Sequence, residues 1–166
     1  MSTPVVLITG GLSGIGRAAA VAFAKKGAKL VVAGRRDDAG KALVKELRAF
    51  GSEAEFINAD VRKEDDVRAL VNKTVARFGR LDVAVNNAAT EGQVGPITDQ
   101  TAESFAATFE TNVLGVVLSM KHEGARCRPK GAAPSSTSPR PTGTRVRQGP
   151  PSMSAASTPS KASPNR

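Results

Sequence analysis

Residues 9–16, Thr9-Gly10-Gly11-Leu12-Ser13-Gly14-Ile15-Gly16, join an apolar run to an amphipathic one. Before them stands Val5-Val6-Leu7-Ile8, four apolar residues in succession, the pattern of a strand buried on both faces. After them Ile15, Ala18, Ala19, Ala22 and Phe23 recur at helical spacing on one face. Lys25, Lys26 and Gly27 then form a basic last turn and a stop. Glycines between a strand and a helix let the backbone turn tightly and approach a pyrophosphate. The helix N-terminus adds free N–H groups and the positive end of its dipole. The bland alternative is a loop with surplus glycine, and the flanking strand and helix argue against it.

The same grammar repeats along the chain. Leu30-Val31-Val32-Ala33 and Val83-Ala84-Val85 are further continuous apolar runs. Glu53 to Ala59 alternates less cleanly around Ala54, Phe56 and Ile57. Leu43, Val44, Leu47 and Phe50 make a second helical stripe, closed by Gly51. Val67, Leu70, Val71, Val75 and Phe78 make a third, closed by Gly79. Phe105, Phe109, Val113, Val116, Val117 and Met120 make a fourth, on a helix expected over residues 104–121. Strands alternating with helices over short loops predict an α/β fold, a parallel sheet covered on both faces.

Composition narrows the rest. The chain has 166 residues, the length of one domain. Its 24 Lys and Arg against 15 Asp and Glu give a formal charge of +9, which alone would point to nucleic acid or an acidic membrane. The charge is uneven, however. Residues 124–166 hold eight basic side chains and no acidic one, whereas residues 1–123 hold sixteen and fifteen. The same closing stretch contains eight of the ten prolines, eight Ser and four Thr, and no Leu, Ile or Phe. Cys127, Val146 and Met153 are its sizeable apolar side chains, too few to offset the entropy of ordering it. Two segments are therefore expected: a folded domain over residues 1–123 and a Pro/Ser/Arg-rich, disordered tail over 124–166.

Other classes fall away. The lone Cys127 and lone His122 exclude a Cys/His zinc cage and a disulfide framework, so no metal is expected, and a cytoplasmic location fits. Met1-Ser2-Thr3-Pro4 lacks a basic n-region, and the apolar run behind it is too short for a signal peptide. No stretch approaches the ~18 apolar residues of a membrane span. With no Tyr and no Trp, the chain can use no phenolic acid or base.

The turn after the first strand, T-G-x-x-x-G-I-G, resembles the cofactor motif of the short-chain dehydrogenase/reductases. Three further stretches resemble family motifs, in order and at the usual spacing. Asp60-Val61 follows the third strand, where the family's Asp contacts the adenine ring. Asn86-Asn87-Ala88-Ala89 is similar to N-N-A-G after the fourth strand, with Ala89 in place of Gly. Asn112, in Thr111-Asn112-Val113, matches the helix asparagine that helps hold the proton-relay water, and is the one catalytic position found. Each has a plain alternative: Asp60 as a helix N-cap, Asn86 and Asn87 as turn formers, Asn112 as a satisfied buried amide. The resemblance covers about residues 4–123. It implies a Rossmann-like, doubly wound parallel sheet, incomplete at about four strands. It also implies cofactor contacts from Gly10, Ser13, Gly14, Ile15, Gly16, Asp60, Val61, Asn87 and Ala88.

Family chemistry is hydride transfer between a nicotinamide and a small-molecule carbonyl or alcohol. NAD-preferring members place an acid at the end of the second strand for the ribose 2′-OH. Gly34 stands there, followed by Arg35 and Arg36, and a guanidinium suits a 2′-phosphate. NADP is therefore expected over NAD. The alternative is that both arginines are solvated charges compensating Asp37 and Asp38. The family's proton donor is a Tyr, its pKa lowered by a Lys one turn later, and a Ser polarises the carbonyl. This chain has no Tyr, so as written it cannot work that way.

The tail supplies a reason. In a coding frame starting one base earlier, Pro134 to Arg140 can be read A-I-V-N-I-S-S, an apolar strand ending in serine. Thirteen positions after Arg140, Met153 can be read as tyrosine, and four further on Ser157 can be read as lysine. That is the family's Ser and Y-x-x-x-K spacing. One base lost or misread near codons 124–127 accounts for the tail, and the intact protein is then expected to be a homodimer or homotetramer through its fourth helix. The rival is a non-catalytic nucleotide-binding module whose basic tail binds nucleic acid or other polyanions. Salt-sensitive DNA binding lost on removal of residues 124–166 would favour that rival. Otherwise nucleic acid is not an expected partner. Sequencing the gene across codons 120–130 is expected to show a single-base discrepancy; clean DNA with an early stop in the shifted frame would remove the explanation.

Overall fold

The computed structural model describes residues 3–126. The tail expected to be disordered, and the shifted-frame Ser, Tyr and Lys positions, fall outside them, apart from residues 124–126. Four strands, β1 (Val5–Thr9), β2 (Lys29–Gly34), β3 (Ala54–Asn58) and β4 (Val83–Asn86), form one parallel sheet in the order β3-β2-β1-β4. Helices α1 (Gly14–Lys25), α2 (Asp37–Ala49) and α3 (Glu64–Phe78) connect them. Beyond β4 a loop and a short turn of 3₁₀ helix (Ile97–Asp99) lead to α4 (Ala102–Phe109), a π-helical turn (Glu110–Leu114) and α5 (Gly115–Gly124).

The uninterrupted apolar runs have the expected cause, because helices cover both faces of the sheet. Val6, Ile8, Leu30 and Val32 point to one side, where they bury Ala20 and Ala24 of α1 and Leu43, Val44 and Leu47 of α2. Leu7, Val31, Ala33 and Ile57 point to the other, against Leu70 and Val71 of α3 and against Leu81. All five β1 residues are buried. The glycine stops were legible as well: Gly27, Gly51 and Gly79 all adopt positive φ just past α1, α2 and α3.

Three expectations need correcting. The buried face of α1 is Gly16, Ala20 and Ala24, rotated from the face expected, and Ile15 is 82% exposed. Small side chains there let the helix axis press close to the sheet, which the larger residues on the neighbouring face would prevent. Phe50 of the second stripe is also mostly outside the core, at 44% exposure just past the end of α2. The single helix expected over 104–121 runs from 102 to 124 and is interrupted at 110–114, where the turn widens.

Among the described residues β3 and β4 are the edge strands of the sheet; β4 pairs with β1, and all four of its residues are half-buried. Along α4 and α5, Phe105, Phe109, Val113, Val117 and Met120 are exposed, the two phenylalanine rings stacked 4.1 Å apart. The apolar face of the fourth helical stripe thus lacks a cover among the described residues, while Gly115 and Leu118 on the opposite side pack towards Val61 and Val67. Edges and faces of this kind favour association and aggregation.

Leu7→Ala tests how much of the fold rests on β1. A leucine that is fully buried in the central strand should cost about 2–5 kcal/mol when truncated, read as a lower urea midpoint.

Candidate cofactor site

The strand register sets the site. Thr9 lies opposite Ala33 on one side and Asn86 on the other, so β1, β2 and β4 all end at one rim. Sequence order reverses between β1 and β4, and the chain leaves those two strands in diverging directions. That opens a crevice at the carboxyl rim, where open α/β sheets bind ligands. Here it is a cleft of about 450 Å³. Its walls are the glycine-rich turn (Gly10, Leu12, Ser13, Gly14, Ile15), the end of β2 (Ala33 to Arg36), the segment after β3 (Ala59 to Val61), the turn after β4 (Asn87 to Ala89), and Thr111.

Polar contacts hold the two sides of the crevice together. Thr9 Oγ1 accepts from the backbone N–H groups of Asn87 and Ala88, at 3.2 and 3.4 Å. The Asn87 side chain donates to the carbonyl of Gly10 at 3.1 Å. Gly10 has φ 64°, and a Cβ there would stand 2.6 Å from the Ala88 Cα. Gly16 does not line the cleft but sits behind it, where a Cβ would collide with the Gly10 carbonyl and the Asn87 carboxamide. Gly14, by contrast, faces open space at φ 53°. Ser13, the N-cap of α1, makes no capping hydrogen bond with its side chain. First-turn N–H groups with no intrahelical acceptor thus meet a surface kept bare of side chains, an arrangement that can hold a diphosphate.

At the other end of the cleft the charges are arranged around Asp60. Arg62 grips its carboxylate with Nε at 3.0 and 3.1 Å and Nη2 at 2.6 Å. That charge-assisted fork holds the Asp60 carboxyl below the usual carboxylate range, with further help from the nearby Arg35 charge. Asp60 is not the N-cap of α3; that position is Lys63. Arg35 and Arg36 are exposed at the rim. Among the described residues no ion pair joins either of them to Asp37 or Asp38. Asp37 accepts instead from the Asn58 carboxamide at 2.7 Å.

Asn112 lies in the π-helical turn, outside the cleft lining. Its carboxamide is pinned to the backbone of Thr90, accepting from the N–H and donating to the C=O, both at 2.8 Å. It is thus a satisfied amide, half-buried, that ties the loop after β4 to the widened turn. Sequence reasoning overlooked Thr111, its neighbour on the cleft wall, and Glu123, buried at the end of α5 with its carboxylate 2.8 Å from the Asn86 Nδ2. Thr111 stands in the sequence only as the neighbour of Asn112, and Glu123 belongs to no motif. Among the described residues no cluster of three or more His, Cys, Asp or Glu could hold a metal, and no helix is long and apolar enough to cross a membrane.

A glycine-rich turn between strand and helix at the switch point of a doubly wound sheet defines a Rossmann-like nucleotide-binding domain. The chain belongs to the short chain dehydrogenase family, whose sequence pattern matches residues 4–125. It is 45% identical over 111 residues to an L-fucose dehydrogenase of Oryctolagus cuniculus, covering 67% of this chain and 38% of that protein. To (+)-borneol dehydrogenase 2 of Salvia officinalis it is 43% identical over 119 residues, 71% of this chain and 42% of that one. Among solved structures, a short chain dehydrogenase/reductase of Burkholderia phymatum in complex with NAD superposes with a TM-score of 0.72 at 33% identity, over 76% of this chain and 44% of that one. An actinorhodin polyketide ketoreductase with NADPH gives 0.70 at 36%, over 73% and 46%. The chain thus spans less than half the length of each of these relatives.

The seam at Thr9 can be tested alone. Thr9→Val removes the acceptor of two backbone N–H groups and should cost about 1–3 kcal/mol by urea unfolding. Thr9→Ser keeps the hydroxyl and should lose less.

Proposed function

We propose that this chain is the cofactor-binding part of an NADP-dependent oxidoreductase, one that moves a hydride between a nicotinamide and a small-molecule carbonyl or alcohol. The observation that carries the choice of NADP is the pair Arg35 and Arg36, exposed on the cleft rim and in no ion pair among the described residues, with Asp60 near enough to feel the Arg35 charge. A planar guanidinium matches a phosphate in geometry and charge, and Gly34 offers no acid to a ribose 2′-OH. The dehydrogenase and reductase names of the relatives support the reaction class.

The bound cofactor would supply the hydride. This chain's residues would bind and orient it. The turn Gly10 to Gly16 takes the diphosphate. Asp60 and Val61 take the adenine end. Asn87 and Ala88 close the β4 side. Asn112, fixed by Thr90, is assigned to the relay water on the family resemblance. Delivery of the proton has no Tyr to perform it in this sequence. The chain as written is therefore proposed to be inactive in hydride transfer and to bind cofactor weakly. A restored reading frame would supply Ser, Tyr and Lys and an active enzyme. The exposed stripe on α4 and α5 supports homo-oligomerisation of that restored protein. A cytoplasmic location goes with it, on the grounds of sparse cysteine.

Calorimetric titration with NADPH and NADH tests the reading. NADPH should bind more tightly, and Arg35→Asp with Arg36→Asp should weaken NADPH by about 10–100-fold while leaving NADH little changed. Equal affinity for the two dinucleotides in the unmodified chain would overturn the NADP assignment.

A further inference from the structure

The last turn of α5 carries a carboxyl group in an unusual place. Glu123 is 5% exposed, and among the described residues its carboxyl has a single donor, the Asn86 Nδ2, 2.8 Å from Oε2. Asn86 closes β4, and the other half of its carboxamide, Oδ1, is buried without a donor. One helical turn before Glu123, the Ser119 Oγ is buried without a partner as well. A carboxylate cannot satisfy Oδ1, since both groups only accept. A carboxylic acid can. Its carbonyl oxygen accepts from Nδ2 while its hydroxyl donates to Oδ1, closing a ring of two hydrogen bonds between acid and amide.

We propose that Glu123 is a neutral acid in the folded protein and a positioning residue for the cleft, closing such a ring with Asn86 and so fixing the turn that presents Asn87 and Ala88. Three observations converge on it: the buried carboxyl, its single donor, and the orphaned acceptor on that donor's own amide. Burial also pushes the Glu123 carboxyl up from its ordinary value, against the smaller opposing pull of the Asn86 hydrogen bond. No nearby cation reverses this. α5 packs against α3, β4 and the π-helical turn, whose titratable side chain is the acidic Glu110. β4 has no titratable side chain. On α3, Glu64 is held by Lys121 and His122 of α5, on the exposed side. Arg126, just past α5, donates to Asn72. Among the described residues none of these pairs with Glu123. The link to the cleft is short: Asn86 is followed directly by Asn87, whose N–H and side chain bind Thr9 and Gly10.

The sign of the pH effect follows. A carboxyl whose value is higher in the folded chain than in the unfolded one contributes its stabilisation fully below the unfolded value. That contribution is lost as pH rises through the folded value. Glu123→Gln is the informative variant, because a glutamine amide can form the same two-bond ring at every pH. In the full chain, the Asn86 side-chain amide signal should move with pH, with a midpoint above the 4.5 of an ordinary glutamate. In Glu123→Gln that signal should be flat, and the fall in melting temperature as pH rises through the parent's own midpoint should be reduced. A midpoint at or below the ordinary value, or a Gln variant less stable than the parent above the parent's own midpoint, would overturn the proposal. The positioning role rests in addition on the cofactor reading above. Glu123→Ala should weaken NADPH about tenfold while Glu123→Gln holds it; equal affinity of both variants and the parent would refute positioning. If the parent binds no dinucleotide, the cofactor reading fails, and the amide titration still decides whether the acid is neutral.

Discussion

The structure depends on one seam, where the ends of β1 and β4 are tied together. The two strands are adjacent in the sheet but far apart in sequence, so nothing local fixes the gap between the turns that leave them. Thr9 bridges it by accepting two N–H groups from the far side. Asn87 bridges it in the opposite direction, onto Gly10. The backbone at Gly10 and Gly16 can then come close enough that no side chain fits between. That close approach keeps the glycine-rich turn low at one end of the cleft, where a diphosphate can meet backbone N–H groups. The aligned strand ends supply its walls, and the first turn of α1 supplies its donors.

Away from the seam, the fold stops at an edge. Among the described residues the sheet ends at β3, beside β2, on one side and at β4, beside β1, on the other, and the β4 residues are only half-covered. The exposed stripe of α4 and α5 lies on the same half of the molecule. This agrees with a chain that spans less than half the length of its relatives. Glu123 and Asn86 sit at that half as well, a polar pair at a place where apolar packing is thin.

Much of this was legible in advance, because it is written in periodicity. Continuous runs such as Val5 to Ile8 demand cover on both faces, and helical stripes ending in glycine supply it. The motif residues could be placed because each one follows a strand end. What failed did so for physical reasons. The face of α1 was misjudged because hydrophobicity favoured Ile15 and Phe23, whereas close packing selected Gly16, Ala20 and Ala24. The break in the last helix left no mark on a stripe whose spacing tolerates a widened turn. Thr111 stands in the sequence only as the neighbour of Asn112, with no sign that it lines the cleft, and Glu123 belongs to no motif and gains its role from a distant partner.

The sequence by itself determined the order of elements, the cradle after β1, the concentration of positive charge in residues 124–166 and the lack of a tyrosine. These are properties of composition and of neighbours along the chain. The formal charge of +9 belongs almost wholly to residues 124–166, since residues 1–123 are close to neutral. Only the tertiary structure decided which strands adjoin, how closely Gly10 meets Ala88, that Asp60 is gripped by Arg62, and that a carboxyl from α5 reaches the amide of Asn86. Strand order, steric clearance and the burial of a charge all depend on groups brought together through space, and these no local pattern of residues records.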